Sequence, residues 1–154
     1  MRLMMQKGYK IGYSVIDGWW FDTGKKDDIL QVNSIILDER IKREIRGEVI
    51  GSRIDGRVTI MEDAKVINST IRGPCIIGRN CLIENSYIGP YTSIGDNTKI
   101  IGSSIEYSIV LSGTIIEGID RIEESLIGEN AKLTKSNKRN AIKLHVGDYS
   151  EVIL

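Results

Sequence analysis

From residue 64 to residue 133 aliphatic and small residues alternate with a step that belongs to neither a helix nor a flat strand. Aliphatics fall at Val66, Ile71, Ile77, Ile83, Ile88, Ile94, Ile100, Ile105, Val110, Ile116, Ile122, Ile127 and Leu133, every five or six residues. Two positions before almost every one stands a small residue: Ala64, Ser69, Cys75, Cys81, Ser86, Thr92, Thr98, Ser103, Ser108, Thr114, Ser125 and Ala131. Asp120 alone breaks that series. Helix faces repeat roughly every 3.6 residues and strand faces roughly every 2, so neither template accounts for the step. A longer period lies over it: Ile71, Ile88 and Ile105 are 17 apart, as are Ser69, Ser86 and Ser103. The phrase Ile77-Gly78-Arg79-Asn80 returns as Ile94-Gly95-Asp96-Asn97 and again as Ile127-Gly128-Glu129-Asn130.

A three-sided coil satisfies this pattern. Each side is a short strand sending one branched aliphatic and one small residue inward, and the chain turns a corner near the Gly-x-Asn. Glycine and asparagine tolerate the positive φ that such a corner demands. Coils of this kind stack as a parallel β-solenoid, like side chains above one another at roughly 4.8 Å. Residues 54–133 give about five coils. A β-sandwich of short strands is the alternative, but nothing in a sandwich holds a 17-residue register. The irregular stretch from Gly118 to Glu124 reads as a bulge or short insertion in the fourth coil, with a ligand notch as the functional alternative.

The first 47 residues follow other rules. Tyr9 to Ile16 reads as a strand, Asp17-Gly18 as a turn, and Asp27 to Glu39 as an amphipathic helix with acidic residues near its start. One strand, one turn and one helix cannot bury Trp19, Trp20 and Phe21, so the segment needs a partner: the side of the solenoid, or a larger domain. Three parts are expected: residues 1–47, a strand-turn-helix segment with a charged linker; 48–133, the solenoid; and 134–154, a capping tail with Leu144, Val146, Val152, Ile153 and Leu154 as its apolar plug.

Trp20-Phe21-Asp22-Thr23-Gly24, with Asp28-Ile29-Leu30 and Asn33 after it, resembles the C-terminal metal-binding stretch of sugar-1-phosphate nucleotidyltransferases. The likeness is to long-form glucose-1-phosphate thymidylyltransferases, and it continues through Ser69-Thr70-Ile71-Arg72-Gly73-Pro74, through Ser86 to Gly95, and into Gly147 to Val152. The resemblance implies a mainly β fold, a left-handed parallel β-helix of the hexapeptide-repeat kind, preceded by a strand-turn-helix remnant of an α/β nucleotidyltransferase domain. It implies formation of dTDP-glucose from dTTP and glucose 1-phosphate, in which the sugar's phosphate attacks the α-phosphorus and pyrophosphate leaves. It also implies Asp22 as a ligand of Mg²⁺ and Trp20 beside the sugar phosphate.

The family's Gly-rich triphosphate loop, second metal aspartate, catalytic lysine and sugar pocket have no counterpart in this sequence. No catalytic residue is therefore assigned. The chain is expected to be an assembly or regulatory part, inactive alone, with a missing or separately encoded nucleotidyltransferase domain as partner. As local signals, Asp22 and Thr23 read equally as helix N-caps, and Trp19 and Trp20 as core or interface. Two other functions stand beside this one. A hexapeptide-repeat acyltransferase would need a histidine on or near a coil, and the single histidine, His145, follows the repeat. A stand-alone structural β-helix would offer its flat faces to a homo-oligomer, trimer or other.

Composition narrows the setting. Lys and Arg total 21 against 21 Asp and Glu, with no basic face in the repeat, which argues against nucleic acid. No apolar run approaches the length of a membrane span. Cys75 and Cys81 fall on inward positions of different sides, so buried free thiols and a cytoplasmic, reducing setting are expected.

Overall fold

The computed structural model describes residues 2–10, 12, 14–15, 17–18, 20–21 and 24–135. From Glu44 onward the aliphatic step becomes a three-sided parallel β-solenoid. The first face stacks Glu44–Ile45, Val58–Ile60, Cys75–Ile77, Thr92–Ile94, Ile109–Val110 and Leu126–Ile127. The second stacks Glu48–Ile50, Lys65–Ile67, Leu82–Glu84, Lys99–Ile101, Ile115–Glu117 and Lys132–Thr134. The third holds Arg53–Asp55, Thr70–Arg72, Tyr87–Ile88, Ser104–Glu106 and Ile122–Glu123. All neighbouring strands pair in parallel, with Ile71 on Ile88 and Ile105 on Ile122.

The core is the set of inward positions read from the sequence. Ile71, Ile77, Ile83, Ile88, Ile100, Ile105 and Ile116 are wholly buried, and Ala64, Cys75, Cys81, Thr92, Thr98 and Thr114 are buried beside them. Each such aliphatic contributes about 1.5–3 kcal/mol on leaving water. The inward serines are satisfied by each other. Ser69 N–H donates to Ser52 Oγ (2.9 Å), Ser86 N–H to Ser69 Oγ (3.1 Å), and Ser103 N–H to Ser86 Oγ (3.2 Å). Each hydroxyl in turn donates to the carbonyl two residues earlier, as Ser86 does to Glu84 at 2.7 Å. No buried side-chain nitrogen or oxygen among the described residues lacks a partner. This matters because an orphaned buried polar group costs about 1–3 kcal/mol.

The Gly-x-Asn corner divides its labour. The asparagine takes the left-handed conformation: Asn80, Asn97 and Asn130 have φ of 52°, 59° and 55°. The glycine supplies room, since a Cβ on Gly78 would lie 2.5 Å from Asp96 Oδ1, the atom that accepts from Arg79 N–H. The 17-residue register holds down the whole third face, but Ser93 pairs with Ile109 and Lys99 with Ile115, a step of 16. One corner is a residue short after Ile105, and the side from Ile116 to Ile122 is a residue long. There Ile119 takes the small residue's place, its N–H donating to Ser103 Oγ at 3.0 Å, and Asp120 is the extra residue. The irregularity is thus the short insertion expected from Gly118 to Glu124.

Two features differ from expectation. The charged stretch expected as a linker before residue 48 is not merely a linker, because Glu44–Ile45 already pairs with Thr59–Ile60. Alternate aliphatics in a charged stretch suffice when a strand is waiting to pair. Second, the described residues between Tyr9 and Val15 form no strand. Residues 11, 13 and 16 of the stretch expected as a strand lie outside the described residues. The segment instead contains a short helix, α1 (Arg2–Gln6), that the sequence pattern does not signal.

Candidate functional site

The helix expected over 27–39 is present as α2 (Lys26–Arg40) and lies on the first face of the solenoid, against Thr92–Ile94. Only one of its apolar stripes is used. Leu30 and Leu37 are buried, whereas Ile36 is 52% exposed. Between the two leucines, Asn33 is the polar pin. Its Nδ2 donates to the Tyr91 carbonyl at 3.0 Å, and its Oδ1 accepts from Ser93 Oγ at 2.6 Å. One turn later Asp38 accepts from Arg57 Nη2 at 2.8 Å and from the Tyr91 hydroxyl at 3.2 Å. Asp38 raises the Tyr91 phenol above its ordinary value, chiefly by its charge. Tyr91 also meets Tyr107 edge to face, centroids 5.9 Å apart. Two phrases far apart in sequence, Asp28 to Asn33 and Pro90 to Ser93, therefore meet at one joint. The signal for it was the Asn33 position within the helix phrase; Arg57 and Asp38 carried none.

Beyond the joint the chain leaves apolar surface uncovered. Trp20 is 75% exposed, Val15 81%, Tyr9 63% and Leu3 67%. Asp22, the expected cation ligand, lies outside the described residues, as do Trp19, Thr23 and His145 with the apolar plug of the tail. Trp20 itself is open to solvent. Among the described residues no group of three or more His, Cys, Asp or Glu gathers to hold a metal. A hard cation needs several oxygens, so the residues described here do not by themselves fit Mg²⁺. Helix α2 begins with Lys25 in the N-cap position, and the Lys25 side chain makes no capping bond.

Two hollows mark the solenoid corners. A groove of about 590 Å³ runs past Asn68, Asn85, Thr70, Tyr87, Ser104 and the extra residue Asp120. A smaller one of about 300 Å³ lies between Tyr91, Tyr107, Glu106, Glu123 and Glu124, with Arg121 bridging Glu106 and Glu123. At the opposite end Arg46 links Glu44 and Glu62, and its hydrogen bond holds the Glu62 carboxyl at about 2. Cys75 and Cys81 are free and buried, and burial pushes their thiols up to about 12 and about 11. They are structural side chains, not nucleophiles.

No protein-family model matches the sequence. It is, however, 44% identical over 151 residues, 97% of its length, to a glucose-1-phosphate thymidylyltransferase of Streptomyces antibioticus. It is 38% identical over 150 residues to a glucose-1-phosphate thymidylyltransferase of Streptomyces griseus. The chain spans 42% of the length of each of these curated relatives. Among solved structures it is similar to a serine acetyltransferase of Entamoeba histolytica in complex with cysteine. That likeness has a TM-score of 0.37 and 17% identity, over 77% of this chain and 49% of that one, too slight to carry an argument. By its identity with the two Streptomyces enzymes the chain is related to a part of the glucose-1-phosphate thymidylyltransferases, and the part it spans folds here as a helix followed by a β-solenoid.

Proposed function

We propose that this chain is the assembly or regulatory part of an enzyme that makes dTDP-glucose from dTTP and glucose 1-phosphate, and that it transfers no nucleotidyl group alone. The observation that carries the reading is the exposure of Leu3, Tyr9, Val15 and Trp20, on the segment that precedes α2, the helix hydrogen-bonded to the solenoid through Asn33 and Asp38. Large apolar side chains exposed along one segment suit an interface. Its occupant in this reading is a nucleotidyltransferase catalytic domain, matching the remaining length of the relatives, whether joined to this chain or encoded separately.

In the assembled enzyme Trp20 lies beside the sugar phosphate and Asp22 supplies one ligand to Mg²⁺, whose role is to neutralise phosphate charge. The other ligands come from the catalytic domain. The enzyme is cytoplasmic, which suits two free thiols, and homo-oligomeric through its solenoid.

The test is direct. The chain is assayed for pyrophosphate release from dTTP, glucose 1-phosphate and Mg²⁺, alone and with a catalytic domain made from the first part of the Streptomyces antibioticus relative. Silence alone, with binding of that domain and weaker binding by Trp20→Ala, supports the reading. Turnover by the isolated chain, or no binding, overturns it.

A further inference from the structure

The larger groove follows the corner between the second and third faces. Down that corner run Gly51, Asn68, Asn85, Gly102 and Gly118, all left-handed, with φ of 57°, 46°, 48°, 56° and 69°. The N–H groups of Asn68, Asn85, Gly102 and Gly118 donate to the coil before, to the carbonyls of Ile50, Ile67, Glu84 and Ile101. Asparagine serves this turn at 68 and 85, so the turn does not demand glycine at 102. Packing does not demand it either, because a Cβ there would meet nothing within 4 Å. What the glycine leaves is an open step in the groove wall, and Asp120, the inserted residue, lines the groove one coil further on.

Thr70, Tyr87 and Ser104 stack in register on the third face beside this step, half-buried. The Tyr87 ring uses room left by Gly89, whose Cβ would come within 3.0 Å of Tyr87 Cε1. Ser86 and Ser103, deeper in the groove, spend their hydroxyls on the serine ladder. Asn85 Nδ2 reaches Glu84 at 3.4 Å, whereas the side chains of Asn68, Thr70 and Ser104 bond to nothing among the described residues. Amides and hydroxyls both donate and accept. Adjacent sugar hydroxyls need partners of that kind, and an aromatic ring suits the C–H face of a pyranose. No lysine or arginine is among the residues lining the groove, and Lys135 at its rim is ion-paired to Asp120. A phosphate there would meet a carboxylate and no free cation. The volume of about 590 Å³ falls within the roughly 300–1,000 Å³ of small-molecule sites.

We propose that this groove binds an uncharged sugar. A pyranose unit occupies the step at Gly102, with its hydroxyls on Asn68, Asn85 and Asp120 and its C–H face on Tyr87. The site goes beyond the proposed function: it shares no residue with the Trp20 segment, and it excludes the nucleotide and the sugar phosphate of that reading by their charge.

Amide chemical-shift mapping of the isotope-labelled full chain tests it, with D-glucose, D-galactose, D-mannose and maltohexaose as probes and inorganic phosphate as the charged control. The expected result is saturable shifts at Asn68, Asn85, Gly102 and Ser104 with at least one sugar and none with phosphate. A response to a monosaccharide identifies a free sugar as the ligand, and a response to maltohexaose alone identifies a glycan chain; both support the site. Gly102→Asn keeps a residue that the turn accepts but fills the step, so its shifts should vanish while the rest of its spectrum matches the parent. Where that variant disturbs the fold, Asp120→Ala at its exposed position gives the same reading. No saturable shift with any of the four sugars, equal shifts with phosphate, or binding that survives the substitution in a folded variant overturns the proposal. No catalytic domain, nucleotide or metal enters the measurement, so failure here leaves the thymidylyltransferase reading standing, and failure of that reading leaves this one standing.

Discussion

The solenoid and the segment before it were built from one chain under opposite conditions. Inside the solenoid each inward aliphatic meets another aliphatic one coil away, and Ser69, Ser86 and Ser103 are bonded in a ladder from coil to coil. Before Lys26 the described apolar side chains find little: Val15 and Trp20 remain largely in solvent. The contrast teaches that a repeat supplies its own neighbours, while a non-repeating segment must be given them. Helix α2 stands between the two conditions, with Leu30 and Leu37 buried on one stripe and Ile36 open on another.

The contrast can be broken most severely from inside. Ile88→Ala removes a wholly buried side chain flanked by Ile71 and Ile105 and is expected to cost about 2–5 kcal/mol, read as a shift in the urea unfolding midpoint. Ser86→Ala takes the acceptor from Ser103 N–H without changing the shape of the core much. The expected loss is about 1–3 kcal/mol by the same measurement, and a loss within error would mean that the ladder contributes no stability.

Smaller effects sharpen the comparison. Glu62 has a folded-state value of about 2, below its ordinary 4.5, so what it contributes is present above pH 4.5 and lost as the pH falls toward 2. Glu62→Gln should therefore lower stability near neutrality, where that contribution is complete, and flatten the stability profile between pH 4.5 and 2, so that variant and parent converge at the acid end. Cys75 and Cys81 should resist a thiol reagent at pH 8 in the folded chain and react fully in denaturant; labelling of the native chain would contradict their burial. Trp20→Ala should change the stability of the isolated chain by no more than about 0.5 kcal/mol, although in most proteins a tryptophan is a structural anchor.

Legibility followed the same division. The inward columns, the corner asparagines and the insertion at Asp120 were all readable, because a repeat lets each residue be checked against its equivalents. The strand at Glu44–Ile45 was not, since two residues in a charged stretch carry no period of their own. Nor was the joint between Asp38, Arg57 and Tyr91, whose members are brought together by tertiary folding and share no spacing. For Trp20 the sequence suggested a role and the structure adds only its exposure. A site completed by another domain leaves half of its grammar elsewhere.

The short corner after Ile105 and the long side before Ile122 have a consequence for descent. One residue is dropped and one is gained within a single circuit, and the column Ile71, Ile88, Ile105, Ile122 passes through both without a shift. Length, in this architecture, is a property of corners and can be edited there in compensating pairs. Lineages sharing such a coil are free to accumulate gaps at the turns while the columns between them admit only exchanges among branched aliphatics.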